Sequence, residues 1–116
     1  MDIYYRTRKL ENVCNNKTKA LKEYGQILAR LLQRRLSELK AAETLADVRT
    51  LPGARCHELV WDRQGQLSVD LKHPRRLIFV PANDPIPKKE DGGLDWGNVT
   101  EVEIIEIEDT HSGKKK

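Results

Sequence analysis

The sequence predicts an α+β domain, with helices first and an antiparallel sheet after them. Three observations carry this. Before Gly53, apolar residues recur every three or four positions. After Gly53 they alternate with polar ones, and short turns separate the alternating stretches. A length of 116 residues fits one domain and is too short for two.

The elements follow in order. The β-formers of "DIYYR" (Asp2 to Arg6) predict a first strand. "RKLENVCN" has room for a turn or two of helix. From Lys17 to about Ala42, Leu21, Tyr24, Leu28, Leu31, Leu32, Leu36 and Leu39 make one stripe of an amphipathic helix. Asn16 or Thr18 can cap its start. Gly25 interrupts the stripe at a cost of roughly 1 kcal/mol against alanine, so it marks close packing or a bend. Lys22, Arg30, Arg34, Glu38 and Lys40 occupy the opposite face. "ETLADVRTLPG" (Glu43 to Gly53) predicts a short helix that starts near Thr44 and stops at the proline and glycine.

Beyond Gly53, "RCHELV", "QLSVDL" and "RRLIFVP" read as three strands joined by the turns "DRQG" (Asp62 to Gly65) and "KHP". Turns this short allow only an antiparallel meander. "ANDPIPKKEDGGLDWGN" (Ala82 to Asn98) is a long loop of the kind that carries function or flexibility. "VTEVEIIEIED" (Val99 to Asp109) predicts the last strand, with Val102, Ile104 and Ile107 turned to the core. The adjacent Ile104 and Ile105 break the alternation, which implies a bulge or burial on both faces. Residues 1–111 form a single domain, and 112–116 a flexible basic tail.

Composition bounds the chemistry. With 38% hydrophobic and only 5% aromatic residues, leucine, isoleucine and valine must fill a modest core. A net charge of +3 fits contact with a polyanion without requiring one. Cys14 and Cys56 do not make a disulfide scaffold. "MDIYYRTRKL" has charges where a signal peptide is apolar, and no apolar run approaches the ~18 residues of a membrane span. A cytoplasmic domain with reduced thiols and no membrane contact is expected.

No Gly-rich phosphate loop follows a strand, and Ser37, Ser68 and Ser112 lack a nucleophile-elbow context. Cys14, Cys56, His57, His73 and His111 lack zinc-ligand spacing, so no metal and no cofactor is expected. Read singly, His57 is a half-buried strand histidine, His73 a solvated turn residue and His111 a tail residue. Arg55, Arg63, Lys72, Arg75 and Arg76 all lie in the meander, where adjacent strands draw them together. They form either a phosphate-binding face, able to neutralise a phosphorane-like transition state, or a solvated face paired with Glu58, Asp62 and Asp70.

The segment "LPGARCHELVWDRQGQLSVDLKHPRRLIFVP", followed by "VTEVEIIEIEDTH", resembles the HigB-like plasmid killer branch of the RelE/ParE superfamily of type II toxins. That branch has the form L-P-G-x-R-x-H-x-L-K-G-x-R-x-G-x-W-S-I, then W-R-I-x-F, and ends on D-Y-H. The match runs in register from Leu51 to His111. The resemblance implies a RelE-like fold, with N-terminal helices packed on one face of a mostly antiparallel, twisted sheet. It implies a toxin that cuts mRNA on the ribosome without a metal, by attack of the ribose 2′-OH on the adjacent phosphate. Its implied partners are the ribosome, mRNA and a helix-turn-helix, HigA-like antitoxin, through which alone it would meet operator DNA.

By position, the resemblance makes His57, Arg76, Asp109 and His111 catalytic. His57 and His111 would be the acid–base pair and Arg76 the phosphate clamp. Arg63, Lys72 and Arg75 would contact RNA. The chain departs from the pattern at Val60 and Trp61, in place of lysine and glycine, and at Leu67 and Arg75, in place of tryptophans. It departs again at Thr110, in place of the tyrosine. Trp61 could stack on a base. Threonine cannot stack, and its hydroxyl is a poorer acid than a phenol. A RelE-like binding protein without catalysis is therefore the alternative from another class. A ParE-like gyrase inhibitor is a third, against which the histidines at both family positions weigh.

Overall fold

The helices come first because a glycine, an asparagine and two hydroxyl caps divide the first half of the chain into short amphipathic pieces. A computed structural model describes residues 1–109. Strand β1 (Asp2–Tyr5) leads into α1 (Arg8–Asn15), whose N-cap Thr7 accepts from the Leu10 amide at 3.1 Å. Asn16 closes α1 and opens α2 (Lys17–Tyr24), accepting from Lys19 N at 3.1 Å. The single helix expected from Lys17 to Ala42 is in fact two. Gly25 adopts φ +85°, a conformation open to glycine, and α3 (Gln26–Ala41) sets off from it in a new direction. Helix α4 (Leu45–Arg49) starts at Thr44, as the sequence predicts, through a capping box with Asp47.

The second half forms β2 (His57–Glu58), β3 (Leu67–Asp70), β4 (Arg75–Pro81) and β5 (Glu101–Asp109). The sheet order is β1-β5-β4-β3-β2. Strands β2, β3 and β4 are the expected antiparallel meander, and β5 returns antiparallel along β4. β1 joins the far edge parallel to β5, so the sheet is mixed. The strand read from "RCHELV" shrinks to two residues. Arg55 at φ +49° and a 3-10 turn at Trp61–Arg63 cut it at both ends. The bulge expected at Ile104-Ile105 is present. Ile78 pairs with Glu106 and Phe79 with Ile104, which leaves Ile105 as the extra residue.

Leu28, Leu32, Leu36 and Leu39 of α3 share one core with Leu67, Val69, Leu77, Phe79, Val102 and Ile104 of the sheet. Ile107 packs at its margin. The 82–98 loop is tied down at several points. Asn83 accepts from the amides of Thr100 and Glu101, and Trp96 is buried with Arg49 stacked 3.7 Å over its ring. Buried Arg35 on α3 binds the carbonyls of Asp70 at 2.6 Å and Gly53 at 2.8 Å, and Glu38 at 3.0 Å. Both cysteines are free thiols. Among the described residues, no helix is long and apolar enough to cross a membrane.

Candidate functional site

Strand alternation puts Leu67, Val69, Leu77 and Phe79 on the core face and leaves their neighbours on the other. Across that second face the register sets His57 opposite Ser68 and Ser68 opposite Ile78, with Glu106 next. Two residues along, Asp70, Arg76 and Glu108 form a parallel row. From strand spacing and rise, the Cα atoms of His57 and Arg76 lie about 12 Å apart.

The 59–66 loop covers part of this face. Leu59 and Ile78 are buried yet stand outside the main core. Leu59 N closes the loop on Gln66 O at 2.8 Å. Ser68 is fully buried, and its hydroxyl has no hydrogen-bond partner among the described residues. That costs on the order of 1 kcal/mol or more, on the same row as His57.

His57 is exposed, and its Nδ1 lies 2.9 Å from the carbonyl oxygen of Arg55. A carbonyl only accepts, so Nδ1 carries the proton and donates it. The neutral ring then presents Nε2 as its basic atom. The left-handed turn at Arg55 helps aim that carbonyl.

The guanidinium groups meet carboxylates that the sequence reading did not pair with them. Arg76 donates from Nε (2.9 Å) and Nη2 to Glu108 Oε1. Arg63 Nε holds the other oxygen of Glu108 at 3.0 Å, while its Nη2 binds Glu106 and its Nη1 binds Gln66, both at 2.7 Å. Desolvation works against the Arg63 cation, but Glu106 and Glu108 outweigh it and raise its pKa above the ordinary value. Of the acids expected to pair, only Asp70 does so with one of these cations among the described residues, with Arg55 at 3.4 Å. Glu58 instead accepts from the Trp96 indole at 2.9 Å. The Glu108 carboxylate thus sits between two guanidiniums. Arg76 Nη1 has no bond among the described residues.

Lys72 and Arg75 stand at the β3–β4 turn, away from this row. With Tyr24, Ile27 and His73 they line a cleft of about 420 Å³ between the hairpin and the α2–α3 joint. The Arg75 guanidinium lies 5.3 Å from the Tyr24 ring centre. Arg75 is also the register partner of Asp109, whereas Arg76 partners Glu108. His111, Thr110 and the basic tail lie outside the described residues.

Three features escaped the sequence reading. Glu106 and Glu108 fall on alternate positions of β5, a spacing visible in the sequence, but only the register shows which cations they face. Arg35 lies in phase with Leu28, Leu32 and Leu39, which marks a charged residue on the core side of α3. Finally, Arg8, Lys9, Lys19 and Lys22 surround a cleft of about 700 Å³ between α1 and α2. Among the described residues, none of those four pairs with a carboxylate.

Trp61 is unusual on two counts. The residue is 87% exposed, and its backbone holds φ +60°. That conformation costs a bulky residue on the order of 1 kcal/mol.

No protein-family model matches this chain, and no curated protein matches it.

Proposed function

We propose that the α+β architecture is a RelE-like fold and that the protein is a HigB-like type II toxin, an endoribonuclease that cuts mRNA on the ribosome. The observation that carries this reading is that His57 and Arg76 lie on one face of a continuous sheet, with His57 exposed and its Nδ1 held by the Arg55 carbonyl. Trp61 gives further support. It stands where the resembling family has glycine, and it holds a backbone angle that glycine adopts freely.

In this mechanism His57 Nε2 takes the proton of the ribose 2′-OH. The oxygen attacks the adjacent phosphorus, the bond to the 5′-oxygen breaks, and a 2′,3′-cyclic phosphate remains. A second acid, His111 by family position, protonates the departing 5′-oxygen. Arg76 offers Nη1 to a phosphate oxygen as negative charge builds on it. The reacting groups belong to the RNA, so the protein contributes position, proton transfer and charge. A helix-turn-helix, HigA-like antitoxin is the partner that this reading supplies.

One observation favours the alternative of a binding protein without catalysis. Glu108 already occupies Arg76, and a phosphate must displace it or share the guanidinium. Purified ribosomes programmed with a defined mRNA separate the two readings. The chain is expected to cut that mRNA, and His57→Ala or Arg76→Ala to slow the cut by about a hundredfold. Intact mRNA with the unmodified protein would mean that the nuclease reading is wrong.

A further inference from the structure

We propose that Trp61 is a stacking platform for one base of the bound RNA, a role that rests on the nuclease reading above. The two tryptophans of this chain divide sharply. Trp96 is buried, its Nε1 hydrogen-bonded to Glu58 and its ring covered by Arg49. Trp61 is 87% exposed as a residue, without a side-chain hydrogen bond or a cation over its ring among the described residues.

The loop that carries it is held in place. Arg63 N bonds Val60 O and Gln64 N bonds Trp61 O, both at 3.1 Å. Gln66 N bonds Arg63 O at 3.0 Å, and Arg63 fastens the loop to β5 through Glu106 and Glu108. The indole is therefore offered from a fixed backbone, and little order is lost when a flat partner meets it. A tryptophan in the left-handed region also carries strain that glycine would relieve, the kind of cost that persists at working positions.

The surroundings select the partner. Arg55 and His57 lie on the segment that enters the loop, and Arg63 lies within it. Of these, the Arg55 guanidinium is largely exposed, and a cation near an exposed ring along the chain suits single-stranded nucleic acid, whose phosphates and bases need both. An apolar protein surface would find only Val60 beside the indole in this loop, which is too little for a hydrophobic anchor. The platform is also particular to this chain, because the resembling family has no side chain at this position.

Trp61→Gly is the informative variant, since glycine accepts φ +60° and the fold is kept. The probe is a fluorescein-labelled single-stranded RNA decamer at low salt, with heparin as a polyanion that has no bases. Trp61→Gly is expected to melt at or above the temperature of the unmodified protein and to bind the decamer about tenfold more weakly. Heparin affinity should not change, and Trp61→Phe should keep most of the RNA affinity. The proposal is overturned if Trp61→Gly binds RNA as the parent does, if Trp61→Phe is as weak as Trp61→Gly, or if heparin affinity falls in parallel. It is overturned too if the parent does not bind the decamer. The ribosome assay above then reports separately whether the nuclease reading stands.

Discussion

Glu108 decides how much of the second sheet face's positive charge a ligand meets. It touches both Arg63 and Arg76, and it is the one carboxylate paired with Arg76 among the described residues, whereas Arg63 also holds Glu106. A phosphate arriving here competes with a carboxylate of similar shape. Replacing Glu108 with Gln keeps the volume and removes the charge. That variant should bind single-stranded RNA more tightly, by roughly tenfold at low salt, and with a steeper salt dependence by about one counter-ion. Titrations at several salt concentrations check both. An unchanged affinity would mean that Arg76 does not meet the RNA backbone. This pairing was half legible in the sequence. Glutamates alternate with isoleucines along β5, which puts them on the face away from the core. The partner of each glutamate depends on a register that the bulge at Ile105 shifts by one, and no local pattern fixes that.

At the scale of elements, α3 and the His57 segment are joined by one side chain. Arg35 ties α3 to Gly53, just before β2, and to Asp70, at the end of β3. Arg35→Met keeps the aliphatic stem but leaves two carbonyls and Glu38 without their donor. A loss of about 3 kcal/mol in stability is expected, read from urea unfolding. RNA affinity should fall with it if this anchor positions His57. The elements themselves were largely readable. All of β4 was found, because an apolar run bounded by "KHP" and Pro81 has few other fates. The start of α4 near Thr44 is legible for the same kind of local reason. What failed was decided at a distance. The interruption at Gly25 was visible as a cost, but a glycine can also continue a helix, and only packing chose φ +85°. The shortening of β2 came from left-handed residues, Arg55 and Trp61, whose types do not announce that conformation.

For the molecule as a whole, buried acids set the limit on the alkaline side. Burial pushes the Cys56 thiol from 9.0 up to about 12 and the Cys14 thiol from 9.0 up to about 11. Burial likewise moves Tyr5 from 10.0 to about 12, helped by Cys14 and Glu11. The folded chain holds these protons after the unfolded chain has released them. Stability is therefore complete below about pH 9 and falls as pH rises toward the folded values. Melting temperatures measured from neutrality upward should decline from about pH 9, and Cys56→Ala should make that decline shallower. The same burial leaves both thiols protonated at neutral pH, so alkylating reagents should react with them slowly.

The parallel pairing of β1 with β5 has a consequence for how this protein is made. Asp2 to Tyr5 find their partners only at Glu101 to Ile104, so β1 cannot pair until β5 has been made. Until then β4 also lacks its longest neighbour. Such long-range closure slows folding and keeps the unfinished chain exposed to other partners. On the toxin reading, the nascent chain would lack an assembled active face until β5 has been made, which would delay injury to the ribosome that is making it.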